Sequence, residues 1–226
     1  MIHCLCSFLA APFREFSHLG NLCMTTNYER IIRENLQQVF DHLPEAFEQC
    51  LAARRKDSLF LFTAFGEDCS LGPDEIMLSG QIERGPKGVV ISLYARHAHP
   101  GPAELEPWRA FKELPGSMPY QGAFRTYAER ILIPYVPQIA KKGERIARAF
   151  GGAKNPAGVE ADLSLLLYPF PKIALCYVFY MADEEFPPSV SCLFSSNALS
   201  FMPLDGLADL AEYTSMEIIR QIEAGE

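Results

Sequence analysis

The stretch KIALCYVFYM, residues 172–181, carries apolar side chains at odd and even positions alike from Ile173 to Met181. Successive side chains of a β-strand point to opposite faces, so a strand apolar at every position has to be covered on both sides. This is the pattern of a central, buried strand. The segment before it, ADLSLLLYPF, alternates around Leu163, Leu165 and Leu167, and SVSCLF and ALSFM after it read as continuations of the same sheet.

Upstream, SLFLFTAFG, EIMLSGQIE and GVVISLYAR are short runs of apolar and β-branched residues with Gly, Pro and Asp between them, and they read as three strands. The spacers leave no room for a crossover helix, so these strands are expected to form an antiparallel meander. Helical periodicity flanks them. From Asn27 to about Arg55 the apolar positions Ile31, Ile32, Leu36, Val39, Phe40, Leu43, Phe47 and Leu51 recur every three or four residues, with a break or bend expected at Pro44. Thr26 or Asn27 suits its N-cap. ARRK at 53–56 reads as the basic end of this helix.

Residues 120–152 hold two further helices separated by Pro134 and Pro137, with Gly151 or Gly152 ending the second in a left-handed conformation. A last helix starts in PLDG and turns Leu207, Leu210, Ala211, Met216 and Ile219 inward. The order helix, strands, helices, strands, helix predicts an α+β fold with a mostly antiparallel sheet and helices packed against it.

The chain has 226 residues, 49% of them hydrophobic, enough for the core of one domain. We read residues 24–226 as that single α+β domain and residues 1–23 as an N-terminal extension or a mis-assigned start, because Met24 opens a well-capped helix. A net charge of −8 argues against a nucleic-acid partner, since such affinity is built largely from Lys and Arg on phosphates. No apolar run approaches the ~20 residues that cross a bilayer, so no membrane partner is expected. The seven cysteines are scattered and include no CxxC pair, which suits a reducing, cytoplasmic setting without structural disulfides. Cys176 and Cys192 sit in apolar runs and read as small core residues.

Three features offer chemistry. The first is DEEFPP at 183–188. Neighbouring residues alternate direction, so Asp183, Glu184 and Glu185 cannot all converge on one ligand, and the spacing lacks the alternate acids and glycine of a calcium loop. The favoured reading is a solvated turn in which Asp183 or Glu184 accepts backbone amides while Phe186 anchors the turn in the core. On that reading Phe186→Ala is expected to cost about 3–5 kcal/mol. The alternative is a general acid–base pair using Asp183 or Glu185, with His97 as a second group.

The second feature is His97 and His99 at the end of the third predicted strand. Their spacing places both imidazoles on one side of an extended chain, but no third ligand is nearby, so no metal site is assigned. The third is the long loop HAHPGPAELEPWRAFKELPGSMP with five prolines. Loops of this length are often functional. Trp108, Phe111 and Tyr120 either line a pocket or pin the loop, and Gly116 suits a positive φ in a turn whose amides could meet an anion. Trp108, Gly116, Tyr120, Glu184 and Phe186 are therefore the ligand-binding candidates. No GxGxxG, GxxxxGK[ST] or GxSxG motif is present, and the cofactor is left open.

The runs WRAFKELPGSMPYQGAF, AFGG and YPFPKIALCYVFYMADEEFPPSVSCLFSSNALSFMP resemble the bacterial and archaeal family of domain of unknown function 3786, over roughly Tyr28 to Ile222. The resemblance rests on Trp108, the Leu114-Pro115-Gly116 turn, the Gly151-Gly152 pair, Pro169 and Pro171, and the Asp183-to-Pro187 stretch. It implies no activity. Some relatives carry an additional four-cysteine module similar to the iron–sulfur module of corrinoid proteins, which implies a corrinoid or iron–sulfur protein as a partner. Cys4, Cys6 and Cys23 lack that module's close spacing. Taken together, the expectation is a cytoplasmic module that binds a small molecule or a partner protein through the 97–120 loop and the 183–187 turn. An acid–base enzyme and an accessory protein of corrinoid or iron–sulfur metabolism are the alternatives.

Overall fold

The structure, a computed structural model, describes residues 26–224. The segment read as an extension, 1–23, lies outside the described residues, as do His3, His18, Cys4, Cys6 and Cys23. Helix α1 (Asn27–Asp41) opens with a reciprocal cap: Glu29 N donates to Thr26 Oγ1 at 3.2 Å, and Thr26 N donates to Glu29 Oε2 at 2.8 Å. It buries Ile32, Leu36 and Val39. After the break at Pro44 the chain resumes as α2 (Phe47–Leu51), which ends at Ala52 with φ 51°.

Because the helix stops there, the basic cluster is not a helix end. Arg54–Lys56 form β1, an exposed edge strand paired with β2 (Leu59–Ala64). Basic residues on an edge discourage pairing with other chains. Strands β3 (Glu67–Leu71), β4 (Ile76–Leu78) and β5 (Gln81–Ile82) complete a five-stranded antiparallel meander in the order β1-β2-β3-β4-β5.

GVVISLYAR is not the third strand. It is most of α3 (Pro86–Arg96), which starts with Pro86 in its first turn, a position that favours proline. Gly88, Val90, Ile91, Ser92, Tyr94 and Ala95 are all buried, so the helix is covered on most sides and shows no amphipathic period in its sequence. It packs on α1, where Asn35 Nδ2 donates to Ser92 Oγ at 2.9 Å and Asn35 Oδ1 accepts from Arg96 Nη1 at 3.2 Å.

The second sheet is also antiparallel, in the order β6-β10-β9-β8-β7, with β6 (Arg109–Ala110), β7 (Ala153–Lys154), β8 (Leu163–Phe170), β9 (Ile173–Tyr180) and β10 (Ser189–Phe194). β9 is the central strand, buried from Ile173 to Phe179. ALSFM does not extend this sheet; Ala198–Ser200 form a 3₁₀ turn leading to α6 (Leu204–Glu223). The chain from Gln121 runs through a short helix α4 (Gln121–Phe124), a π-helical segment (Arg125–Glu129) and a 3₁₀ segment (Arg130–Tyr135) into α5 (Val136–Ala149). Gly151 takes φ +65° after α5. At Gly152 an added Cβ would lie 1.8 Å from Leu166 O, so only glycine lets the helix end sit against β8.

Phe65 N donates to Pro169 O at 2.8 Å, tying the first sheet to the second. Phe62, Phe65 and Tyr94 surround Phe170 at the same joint, with Tyr94 stacked on it at 4.5 Å. On α6, Leu207, Leu210 and Ala211 face inward as expected, but Met216 is 48% exposed and Glu217 only 2%. Glu217 replaces it inside because Lys87 on α3 donates to its Oε2 at 3.2 Å and Arg220 Nε to Oε1 at 2.8 Å. Lys87 also reaches Glu67 on β3 at 3.1 Å, and Ser79 Oγ donates to Glu67 at 2.6 Å. Burial alone would raise the Glu67 pKa. The Ser79 hydroxyl and the Lys87 charge outweigh it and hold the group below the ordinary carboxylate range.

Candidate functional site

The acidic turn joins β9 to β10. Asp183 Oδ1 accepts from Glu185 N at 2.8 Å and from Phe186 N at 2.7 Å, and Asp183 N donates to Phe186 O at 3.1 Å. This is the turn chemistry of an aspartate bonding its own backbone. Asp162 braces the base by accepting from Met181 N at 2.7 Å. Glu184 and Glu185 are exposed. Phe186 is not the expected core anchor, for 65% of it is exposed. The turn is closed by Asp183 and continued by Pro187 and Pro188, so it needs no ring in the core to hold its shape.

His97 caps the end of α3, with Nδ1 3.0 Å from Leu93 O, and His99 lies in the loop beyond. Since the chain before them is a helix and His99 lies beyond its end, the strand spacing that would align them does not apply. The loop is held by residues that the sequence reading missed. Lys172 Nζ donates to His99 O at 2.7 Å and to Gly101 O at 3.0 Å, and sits 5.7 Å over the Phe201 ring. Asn197 donates to Pro102 O and accepts from Glu104 N, both at 2.9 Å. A lysine inside an otherwise apolar run was the available signal for the first of these.

Lys172 precedes β9 and the acidic turn follows it. The eight residues of β9, about 26 Å of strand, separate them. The structure therefore places the His97–Gly101 part of the loop and the Asp183–Glu185 turn at opposite ends of the second sheet. His97 and Glu185 share no hydrogen bond. Trp108 is half-buried beside β6, and Phe111 stacks on Phe124 with centroids 4.0 Å apart, so the middle of the loop is pinned. Gly116 adopts φ +79° beside Leu204 at the start of α6.

Tyr120 belongs to a different concavity, a shallow groove between the π-helical segment and α6. Its lining includes Tyr120, Phe124, Tyr127, Ala208, Asp209 and Glu212. Burial, then the charges of Glu212 and Asp205, push Asp209 up to about 7, and burial raises Glu212. For Asp209 the folded pKa exceeds the unfolded one, so between pH about 4 and about 7 the native state binds more protons. Its contribution to stability is fully present below about pH 4 and is lost as pH rises through about 7. Asp209→Asn is accordingly expected to leave stability unchanged at pH about 4 and to raise it at pH about 8, as read by urea midpoints; a loss at both pH values would contradict the assignment.

Beneath the π-helical segment runs a buried polar chain. Glu129 Oε1 accepts from Cys192 N at 3.1 Å, Tyr177 OH donates to Ala211 O at 3.0 Å and lies 2.9 Å from Ser215 Oγ, and Ser215 Oγ donates to Ala128 O at 2.6 Å. Burial raises Glu129, partly opposed by the Cys192 amide and by Arg125 and Lys112. π-Helical turns recur at functional sites. No reactive thiol lies here: burial pushes Cys176 up to about 11 and Cys192 far above its ordinary value, which keeps both as neutral thiols. Among the described residues no group of three or more His, Cys, Asp or Glu is placed to hold a metal. Nor does any helix among them have the length and apolarity to cross a membrane.

These elements define an α+β domain of two antiparallel sheets, with a self-braced acidic turn at one end of the second sheet and a tyrosine-walled groove along its last helix. The chain belongs to the family described as domain of unknown function (DUF3786), whose model matches residues 44–217. No curated protein and no solved structure matches it.

Proposed function

We propose that this chain is a binding domain for a partner protein and that the turn from Asp183 to Pro188 makes the principal contact. One observation carries the reading: Phe186 is 65% exposed on a turn whose backbone is already fixed by Asp183. An aromatic ring held ready in solvent suits an interface hot spot, because little ordering entropy remains to be lost on binding. Glu184 and Glu185 beside it favour a partner pocket that is apolar in the middle and rimmed by Lys or Arg. A partner protein fits better than a small molecule here, since the concavity of about 420 Å³ on the first sheet, lined by Leu61, Thr63, Ser70 and Met77 among others, is open rather than enclosing.

The acid–base alternative has less support. Asp183 spends its Oδ1 on the turn, and no second titratable group bonds to Glu185. Corrinoid and iron–sulfur proteins, the company implied by the family resemblance, are the first candidates for the partner.

The test compares wild type with Phe186→Ala in capture from native extract. The variant is expected to melt as the wild type does, within about 0.5 kcal/mol. It should lose a partner retained by the wild type, with affinity down by about 30-fold for a hot-spot ring worth ~2 kcal/mol. Equal retention of every captured protein by both forms would overturn the proposal.

A further inference from the structure

The first sheet turns one face to the core. Phe60, Leu71 and Ile76 lie in register across β2, β3 and β4 and are buried, whereas the row Arg54, Leu61, Ser70 and Met77 runs in register from β1 to β4 on the opposite face. Leu61, Ser70 and Met77 are half-buried, and with Arg54 and Thr63 they line the open concavity of this outer face. Lys56 pairs with Leu59 two residues along and so stands on the same face at the β1 edge. The acid of the lining, Asp68, pairs with Thr63 at the other end of the strands. The outer face is thus aliphatic in the middle and basic at one end.

The acidic turn carries the complementary set, with Phe186 65% exposed beside Glu184 and Glu185. No ion pair among the described residues uses Arg54, Lys56, Glu184 or Glu185. Within one molecule the two surfaces stand apart. The sheets are tied where Phe65 N bonds Pro169 O, and the turn lies at the opposite end of β9 from that joint.

We propose that the outer face of the first sheet is a docking site for the Asp183–Pro188 turn of a second copy of this chain. The inference rests on the reading of Phe186 as a contact residue and gives the turn a receptor on the protein itself. Phe186 rests on Leu61 and Met77, whose thioether suits an aromatic ring, and Glu184 and Glu185 face Arg54 and Lys56, away from Asp68. Basic side chains that discourage strand pairing at this edge therefore attract an acidic turn to its face. Turn and face are different surfaces, so the contact is head-to-tail and extends to rings or chains as concentration rises. A single turn covers less than the ~1,200 Å² of a stable interface, so the association is weak, with Kd on the order of 100 µM.

The test follows the pure full chain by sedimentation velocity from about 10 µM to about 1 mM. The wild type is expected to grow beyond a dimer with concentration. Phe186→Ala disables the turn, and Arg54→Glu with Lys56→Glu disables the face; each form should associate about 30-fold more weakly than the wild type. All three positions are exposed, so both forms should melt as the wild type does. Mixed in equal amounts they retain one intact turn and one intact face, and should form a one-to-one pair and nothing larger. A monomeric wild type, wild-type association of either variant, or a mixture that associates no better than its components would overturn the proposal. If the wild type is monomeric while Phe186→Ala still loses a partner from extract, the reading of the turn stands and docking on this face falls. An extract protein retained by a monomeric wild type and lost by the face variant would give the face to another protein and likewise overturn docking of a second copy.

Discussion

Phe170→Ala is expected to destabilise the protein by about 3–5 kcal/mol, the cost of removing a large ring from a site that cannot collapse. Phe170 is fully buried at the end of β8, where the register of the second sheet shifts. Tyr94 of α3 stacks on it at 4.5 Å with ring planes 6° apart, Phe65 meets it edge-on at 5.3 Å, and Phe62 lies at 6.5 Å. These three rings come from the first sheet and its covering helix, so the cavity would open at the joint between the sheets. Tyr94 is itself fixed by its hydroxyl, which donates to Leu51 O at 2.9 Å, and this limits relaxation into the gap. For a chain of this size each kcal/mol lowers the melting temperature by about 2–4 °C, so a fall of about 10 °C is expected in calorimetry. A fall under about 3 °C would show that the ring cluster is not what joins the sheets.

Lys87→Met should cost about 3 kcal/mol, although it keeps the aliphatic stem. The loss is electrostatic. Lys87 is the cation shared by Glu67 at 3.1 Å and Glu217 at 3.2 Å, and Glu217 is 2% exposed. Removing it leaves two carboxylates facing each other with Arg220, which is more exposed, as the remaining cation. A buried charge stripped of one partner keeps its full desolvation cost. The network ties β3, α3 and α6 together, so the destabilisation should be global rather than a frayed end. pH supplies the check. The Glu67 pKa is lowered in the folded state, so its stabilising contribution is present above the ordinary carboxylate range and is lost as pH falls through the folded value. The difference between Lys87→Met and wild type should shrink over the same fall. A difference that stays constant into acid would mean that the contact of the Lys87 ammonium with the Phe65 ring, 5.4 Å from Nζ, was the source of the loss.

The turn and the groove show how far a local pattern reaches. That Asp183 would accept backbone amides was legible, because an aspartate bonding its own turn is decided within four residues. That Phe186 would stay in water was not. Nothing in DEEFPP says whether the core comes within reach of its fourth position. Tyr120 was legible as a candidate, but nothing in the pattern of the last helix singles out Asp209 and Glu212 opposite it. Their burial arises only when the π-helical segment packs along α6. Glu129, Tyr177 and Ser215 were missed for the same reason, since their partners lie 34 to 87 residues away along the chain.

By itself the sequence determined the α+β class, the capped first helix broken near Pro44, the central position of β9, the positive φ at Gly116 and the end of α5 at the Gly151-Gly152 pair. Each rests on the period of the side chains or on a backbone preference within a few residues. Only the tertiary structure decided that GVVISLYAR is a helix, that Arg54–Lys56 is an edge strand, that Glu217 rather than Met216 is buried, and that Lys172 and Asn197 hold the long loop. A helix covered on nearly every side loses its amphipathic signature, and a charge can be buried wherever the fold brings its counter-charge. Both depend on which elements meet, and no local stretch of the chain contains that information.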